Sequence, residues 1–357
     1  MNTESNTSAA EPASSHSGAS GALTISVVMP VYNGMGFIEK SLPPLQRMLE
    51  KGEILEIIVV DDGSTDDTSS YAQSKSAKVI PSGGRLGPGG ARNQAANIAR
   101  GEVLWFIDAD VIVHETAAQR LKVALEQPDV VAVFGSYDDK PAAGNFFSQY
   151  KNLVHHYYHH LATEEAQTFW SGCGAIRKQA FLDAGGFDVV QFKYPSVEDI
   201  ELGHRLLLAG GRILLRKEIL CTHLKVWRLG NLLHTEIFRR AIPWSRLIII
   251  GTGLPNNLNV GIAEQVRAVF AGILLLSLLA VLAGLVPALT LAPVVLVVLL
   301  ANKDIARFFF RQRGFWFAGK ALLFHQVYYL YSSGSFAWVV LEQALEKVTG
   351  GRISAGT

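Results

Sequence analysis

Val103-Leu104-Trp105-Phe106-Ile107-Asp108-Ala109-Asp110 is the stretch of sequence that decides the fold. Its five large apolar residues contain no charge and no glycine, which predicts a strand buried on both faces of a parallel sheet. The two acids then lie at the carboxyl edge of that sheet, where open α/β sheets bind their ligands. Two carboxylates one residue apart can hold a divalent cation, although an isolated pair could simply end the strand and cap the next turn.

Strand and helix patterns alternate on both sides of this stretch. Repeated βα units imply a parallel sheet with right-handed connections and helices on both faces. A glycine-rich loop, Gly83 to Gly90, follows the third strand. The predicted strands are Thr24–Met29, Glu53–Val60, Ala77–Ile80, Val103–Ile107 and Val130–Phe134, and the predicted helices follow Gly34 and Ser64–Asp66 or span Ala91–Arg100 and Thr116–Glu126.

Polar side chains follow three of these strands at the point where each strand ends. The turn Pro30-Val31-Tyr32-Asn33 follows the first strand, Asp61-Asp62 the second, and Asp108-Ala109-Asp110 the fourth. Parallel strands bring all three turns to the same edge of the sheet. Three polar strand ends, two of them acidic pairs, are hard to explain by capping alone, so this edge is predicted to bind a ligand.

The composition divides the chain into a soluble part and a membrane part. The 357 residues are 49% hydrophobic, the mean hydropathy is +0.23, and the apolar excess is concentrated after about Val266. A net charge of +1 gives no support to nucleic-acid binding, which needs a clustered basic face. Two cysteines exclude a disulfide framework and fit a reducing compartment.

The N-terminal residues 1–22 are rich in Ser, Ala, Asn and Gly, which predicts a disordered leader. They contain no apolar segment behind a basic one, as a secretory signal would, so the first folded domain is expected to stay in the cytoplasm. Two or three transmembrane helices are predicted within residues 263–341, after amphipathic interfacial helices in residues 229–262 and before a tail in residues 342–357.

The first predicted span, Val266–Ala283, has 18 residues, and at 1.5 Å per residue it is about 27 Å long, close to a bilayer core of roughly 30 Å. Ala288–Ala301 is predicted to return as the second arm of a hairpin. Basic residues between Lys303 and Arg313 follow that arm, which favours the cytoplasmic side. Phe315–Leu341 is predicted to span as well, with an interfacial position as the alternative.

Four motifs, in this order, resemble those of the family 2 glycosyltransferases. They are Val27–Asn33, Val59–Asp66, Gly87–Asn93 and Asp108–Asp110, and the resemblance covers roughly Ile25 to His223. It implies a GT-A fold, an α/β domain with a Rossmann-like, mostly parallel sheet, here assigned to residues 23–228 and followed by C-terminal transmembrane and interfacial helices. It also implies an inverting enzyme that moves a sugar from a nucleoside diphosphate sugar, usually with Mg²⁺ or Mn²⁺.

The resemblance also implies roles for residues at the predicted edge. Asp108 and Asp110 would face the ribose, the diphosphate and the metal ion. His223 is carried as a third metal ligand, with a packed core histidine as the alternative. The residues assigned to the nucleotide sugar are Pro30, Tyr32, Asn33, Asp61, Asp62, Arg92 and Asp108.

The catalytic base is assigned to Asp199, with Glu198 as the second candidate, because their stretch resembles the family's Glu-Asp motif. An inverting displacement needs one base and no enzyme nucleophile. The alternative is that both acids only complement the positive end of a helix dipole. His155–His160 holds two i, i+4 histidine pairs but no further ligand, so it is predicted to form an amphipathic helix near the acceptor or the lipid surface.

These observations predict a multi-pass glycosyltransferase of the cell membrane with its catalytic domain in the cytoplasm. Its donor would be a UDP- or GDP-sugar and its acceptor a lipid or a lipid-linked sugar. A polyprenyl-phosphate glycosyltransferase and a non-catalytic membrane scaffold that binds sugar nucleotides are the alternatives. A processive polymer synthase is disfavoured, because Thr235–Trp244 lacks the Gln of the Gln-X-X-Arg-Trp motif that it loosely resembles.

Overall fold

The computed structural model describes residues 23–249 and 261–349. The predicted leader, part of the predicted interfacial segment (250–260) and the end of the predicted tail (350–357) lie outside the described residues. The strands are β1 (Ile25–Val31), β2 (Glu56–Asp61), β3 (Lys78–Pro81), β4 (Val103–Ile107), β5 (Val111–Val113), β6 (Val130–Tyr137), β7 (Glu165–Ala166), β8 (Cys173–Arg177) and β9 (Arg212–His223).

Helices pack on the sheet, and the described residues after β9 form helices without further strands. Those of the first part are α1 (Met35–Glu50), α2 (Thr68–Ser74), α3 (Gly87–Ile98), α4 (Ala117–Ala124), α5 (Phe146–Leu161), α6 (Lys178–Asp183) and α7 (Glu198–Leu208). After β9 come α8 (Leu229–His234), a π-helix (Thr235–Ala241), α9 (Ile242–Ile249), α10 (Ile262–Leu282), α11 (Leu291–Ala301), α12 (Lys303–Arg313) and α13 (Phe315–Thr349).

The described strands form one mixed sheet in the order β3-β2-β1-β4-β8-β6-β9-β5, with β7 on β9. The first four strands are parallel, as the βα repeat predicts. Beyond β4 the arrangement changes, because β8 runs antiparallel between β4 and β6. The α/β prediction is therefore confirmed, with the parallel part confined to β1–β4 and to the pair of β6 with β9.

The sheet core is buried on both faces, as the composition of β4 predicts. All five β4 residues and all seven β1 residues are buried. On one face, α1 packs Ile38, Leu42 and Leu45 against the sheet. On the other face, the Phe106 ring lies 5.3 Å from that of Phe181, within a layer that also contains residues of α3. These two apolar layers hold the carboxyl ends of β1 and β4 in fixed positions.

The glycine-rich loop is shorter than predicted, because α3 begins at Gly87 rather than at Ala91. Pro88 lies in its first turn, where a missing N–H costs nothing. Asp62 accepts hydrogen bonds from the backbone N–H groups of Leu86 (2.8 Å) and Gly87 (2.9 Å). The start of α3 is thus tied to the end of β2.

One helix among the described residues is long and apolar enough to cross a membrane by itself. This helix is α10, with 21 residues, a mean hydropathy of 2.2 in its most apolar window and 6% of that window buried. The predicted return arm is shorter, because the chain bends by 71° between residues 288–301 and α12, and only the bent pair together passes the same test. The third predicted segment forms α13, which does not pass that test. Of the three predicted spans, only α10 therefore passes the test as a single helix.

Candidate active site

A cavity of about 480 Å³ opens at the carboxyl ends of β1 and β4. Residues from the first half of the sheet, from α5, from the start of α7 and from the π-helix line it. Of the site residues predicted from the sequence, those that line the cavity are Pro30, Tyr32, Arg92, Asp108, Asp110, Glu198, Asp199 and His223. Positions far apart in the chain thus meet around one space.

Asp110 and His223 lie side by side in this cavity. β5 pairs antiparallel with β9, with Val111 opposite His223, and the N–H of Leu224 donates to the Asp110 carbonyl (2.8 Å). His223 Nε2 then lies 3.5 Å from Asp110 Oδ2. Burial acts to raise the pKa of Asp110, but the His223 ring and the Lys225 charge together hold it below its ordinary value.

The His223 ring is held by stacking on Tyr137, at 4.5 Å between centroids and 15° between planes. Its side chain is 8% exposed and that of Asp110 is 21% exposed. A carboxylate that faces a cavity suits Mg²⁺ or Mn²⁺, since such ions take one or two protein carboxylates together with substrate phosphates and water. The neighbouring imidazole is a ligand for a transition-metal ion, which favours Mn²⁺ over Mg²⁺. The donor set therefore fits the divalent cation that the sequence predicts.

Asp108 points to a different partner. Its carboxylate pairs with the Arg92 guanidinium, whose side chain is 3% exposed and which also lies 5.4 Å from the Phe187 ring centroid. In residues 23–249 and 261–349, no group of three or more His, Cys, Asp and Glu side chains is placed to hold a metal ion. The structure thus brings together two of the three predicted ligands and gives Asp108 a buried cation.

Asp199 and Glu198 begin α7 on the opposite side of the cavity. Asp199 Oδ2 accepts from the Ser171 N–H (3.0 Å) and hydroxyl (3.2 Å), and Oδ1 accepts from the Ile200 N–H (2.9 Å). Three donors thus fix a carboxylate that lines the cavity. Glu198 is buried, and its Oε2 accepts from the Ser196 N–H (2.6 Å). Burial and then repulsion by Asp199 raise the pKa of Glu198 to about 7.

Replacing Glu198 with Gln should stabilise the protein at mildly alkaline pH. The pKa of Glu198 is raised in the folded state from 4.5 to about 7, so its favourable contribution to stability is present below about pH 4.5 and is lost as the pH rises through about 7. We therefore expect Glu198→Gln to raise the free energy of unfolding by roughly 1–3 kcal/mol at about pH 8 and by little at about pH 4.5. Thermal unfolding at both pH values measures this, and an equal effect at both would contradict it.

Three residues assigned to the nucleotide sugar organise the loops beside the cavity. Asp62 caps the start of α3, and Asp61 Oδ1 accepts from the Ser64 N–H (2.9 Å). Asn33 adopts a positive φ of 46° and its Oδ1 accepts from the Thr65 N–H (2.7 Å). None of the three lines the cavity as described. Their carboxylate and amide oxygens connect the first two strand ends to each other.

Tyr32 lines the cavity beside these loops and exposes its ring to solvent. It is 41% exposed, and the Arg85 guanidinium lies 3.4 Å from its ring centroid. Arg85 belongs to the glycine-rich loop that connects β3 to α3. A flat aromatic face with a stacked cation is a suitable surface for a base or a phosphate.

Sequence reasoning missed several residues of the cavity wall. β6 extends to Tyr137, three residues beyond its predicted end, and α5 and the π-helix bring in residues with no local motif. The one sequence signal for these residues was that large side chains are concentrated near a predicted amphipathic helix. The missed residues include Tyr137, Lys151, Trp170, Lys225, Trp227, Arg239, Arg240 and Trp244.

The histidine cluster lies on the helix α5, as predicted, and the two rings of each i, i+4 pair are in contact. The ring centroids of His155 and His159 are 3.9 Å apart, and those of His156 and His160 are 4.0 Å apart. Burial lowers the pKa of His159 to about 3. His155 and His159 line the cavity, so this helix contributes neutral aromatic surface to the side where Asp199 lies.

Comparison with known proteins gives a consistent result. The family model described as glycosyl transferase family 2 matches residues 26–185. The glycosyltransferase GlyG of Streptococcus pneumoniae is 25% identical over 238 residues, which cover 63% of this chain and 77% of GlyG. A Campylobacter jejuni protein, GalNAc(5)-diNAcBac-PP-undecaprenol beta-1,3-glucosyltransferase, is 34% identical over 92 residues. That match covers 24% of this chain and only 29% of the Campylobacter protein.

A solved structure supports the same fold. The mannosyltransferase PcManGT from Pyrobaculum calidifontis, determined in complex with GDP-Man and Mn²⁺, superposes with a TM-score of 0.58. The sequence identity is 19%, and the match covers 89% of this chain and 88% of PcManGT. At that identity the likeness concerns the fold, which is of the GT-A type.

Proposed function

We propose, for a chain that carries a family 2 glycosyltransferase domain, the transfer of a sugar with inversion from a nucleoside diphosphate sugar to a hydroxyl of a lipid or lipid-linked acceptor. One observation carries this proposal: the Asp110–His223 pair and the anchored carboxylate of Asp199 line the same cavity. A site for a leaving diphosphate and a base for an acceptor are the two elements that an inverting transfer requires.

The donor side is assigned to the edge formed by β1, β4 and α3. Asp110 and His223 would hold a divalent cation, which supplies Lewis-acid stabilisation of the charge that develops on the leaving diphosphate. Arg92 holds Asp108 in place at that edge. Tyr32 and Arg85 offer a surface for the nucleoside. The GDP-Man and Mn²⁺ in PcManGT guide the choice of ligands to be tested first.

The acceptor side is assigned to the start of α7. Asp199 accepts the proton of the attacking hydroxyl, and its hydrogen bonds from Ser171 and Ile200 hold it in one orientation. Glu198 lies next to it in the chain but is buried and bonded to Ser196. This difference in surroundings favours Asp199 as the base.

A position at the cytoplasmic face of the cell membrane is supported by the contacts of α10. The Tyr158 hydroxyl on α5 donates to Glu264 at the start of α10 (2.8 Å), and Tyr158 also lines the cavity. If α10 crosses the bilayer, the cavity lies close to the lipid surface. The basic residues of α12 favour the cytoplasmic side, and a return of residues 288–301 through the bilayer before α12 would make the chain multi-pass. The Campylobacter relative's name gives a polyprenyl diphosphate acceptor, which supports a lipid-linked substrate here.

Titration calorimetry with nucleoside diphosphates tests the proposal. The purified, detergent-solubilised chain should bind one of UDP, GDP or ADP more tightly with Mn²⁺ than without it, because a cation held by Asp110 and His223 would attract the diphosphate. The affinity ratio with and without Mn²⁺ is the quantity compared, and Lys51→Met, at an exposed position after α1, serves as the control variant. Folded protein that binds none of the three would favour a non-catalytic scaffold instead.

A further inference from the structure

Four cationic side chains line the cavity. Lys151 comes from α5, Lys225 from the segment after β9, and Arg239 and Arg240 from the π-helix, and all four line the cavity. We call these residues the cationic wall. They belong to three separate segments, so their meeting depends on tertiary packing.

A single carboxylate lies behind this wall. Glu236 Oε1 is 2.7 Å from Lys151 Nζ and 3.5 Å from Arg240 Nε. The Glu236 side chain is 9% exposed, that of Lys151 15% and that of Arg240 45%. Glu236 does not itself line the cavity as described. It therefore anchors the two cations from behind and leaves Arg240 open to the space in front.

The other two cations lie on aromatic rings. Lys225 Nζ is 4.3 Å from the Trp227 ring centroid, and the Arg239 guanidinium carbon is 4.5 Å from that of Tyr194. Within residues 23–249 and 261–349, neither forms an ion pair with a carboxylate. Among the described residues, the four cations thus form ion pairs with one carboxylate, Glu236. Asp110 and Asp199 line the same cavity, and an anionic ligand would neutralise the positive charge that remains beside the cationic wall.

The cationic wall lies next to the proposed base and next to the C-terminal helices. The Ser196 hydroxyl donates to the Arg239 carbonyl (3.0 Å), which joins the π-helix to the loop that leads into α7 and Asp199. On its other side, the π-helix contacts α13, where the Tyr331 hydroxyl donates to Glu236 Oε2 (3.3 Å). A ligand on the wall would therefore lie between the base and the helices that follow the catalytic domain.

We propose that the cationic wall binds a phosphate or diphosphate group of the acceptor, so that the acceptor is a phosphate-bearing lipid or lipid-linked sugar. This inference rests on the proposed function, because it assigns the acceptor side of the same cavity. A guanidinium matches phosphate geometry with paired N–H donors, and a lysine adds a point charge. The donor diphosphate is assigned to the side of Asp110 and His223, and of the cationic wall only Lys225 lies next to these residues in the chain.

Binding of a short-chain lipid probe tests the inference separately from turnover. The full chain in detergent is titrated with farnesyl diphosphate and with farnesol, in the presence of Mn²⁺ and a saturating nucleoside diphosphate. Wild type should bind the diphosphate at least about tenfold more tightly than the alcohol. Arg240→Gln should weaken diphosphate binding by roughly 10- to 100-fold and leave nucleotide affinity unchanged, since a desolvated charge contact is lost.

Two further variants separate charge from general damage. Arg240→Lys keeps the positive charge and should retain most of the affinity. Arg47→Gln removes a guanidinium of α1 that is paired with Glu115, away from the cavity, and should behave as wild type. Equal binding of farnesol and farnesyl diphosphate would overturn the inference, as would loss of nucleotide affinity in Arg240→Gln, which would assign the wall to the donor. Failure of nucleotide binding in wild type would instead overturn the proposed function.

Discussion

Replacing Asp199 with Asn should abolish sugar transfer while nucleotide binding persists. The amide keeps the size of the carboxylate, and its single oxygen can still accept from one of the two N–H groups, that of Ser171 or that of Ile200, so α7 should still form. It cannot take a proton from the acceptor hydroxyl. Loss of a general base lowers turnover by roughly 10²- to 10⁴-fold.

Two measurements on the same preparation check this result. Turnover is followed by release of the nucleoside diphosphate in the presence of an acceptor, and nucleotide affinity is measured by calorimetry. Asp183→Asn, an exposed change at the end of α6, is the control and should retain full turnover. Unchanged transfer in Asp199→Asn would remove the base assignment, and a matching loss in Glu198→Gln alone would move it to Glu198.

The fold was predictable where a short run of consecutive residues is apolar enough to require burial. β4 is apolar at every position, and such a run is stable only between two covered faces. β8 was not predictable in the same way. Its sequence, Cys173-Gly174-Ala175-Ile176-Arg177, contains small residues, and its antiparallel insertion between β4 and β6 is decided by distant partners. Strand order depends on such non-local pairing, which no window of sequence contains.

The site was predictable where its residues follow strands. Parallel strand ends meet at one edge, so the position of Asp110 at the cavity was predictable, while Asp199 was placed by the motif that its stretch resembles. Both line the cavity, and their roles stay predictions. The contact between Arg92 and Asp108 was not found, because it joins α3 to β4 across the sheet edge. The cationic wall was missed for a related reason: Lys151 and Arg240 are ordinary basic residues in their own segments, and Glu236 brings them together only in the folded chain.

The predicted membrane part shows the limit of composition as a guide to membrane spans. α13 is rich in aromatic residues, yet its His325 is buried, and the His325 Nδ1 atom lies within hydrogen-bond distance (2.7 Å) of the Tyr150 hydroxyl of α5. The Tyr329 hydroxyl donates to Glu264 of α10 (2.8 Å). Part of the apolar surface of α13 thus packs on protein. Hydropathy cannot separate a helix that faces lipid from one that faces a neighbouring domain.

Replacing Asp110 with Asn should remove the dependence of nucleotide binding on the metal ion. The amide offers one neutral oxygen in place of a carboxylate, and hard divalent cations bind such a group much more weakly. Affinity for the nucleoside diphosphate in Mn²⁺ should fall by roughly 10- to 100-fold, towards the value without metal. Calorimetry with and without Mn²⁺ measures this ratio, and an unchanged ratio would remove Asp110 from the metal site.

Asp108→Asn is the matched comparison, because it makes the same chemical change two residues away. Arg92 is almost fully buried and pairs with Asp108. Asp108→Asn should therefore lower the free energy of unfolding by about 1–3 kcal/mol, because a buried cation loses its counter-charge. The ratio of nucleotide affinity with Mn²⁺ to that without it should be largely retained in this variant. If Asp108→Asn instead removed the metal dependence and Asp110→Asn did not, the roles of the two acids would be exchanged, and the Asp110–His223 contact would be structural.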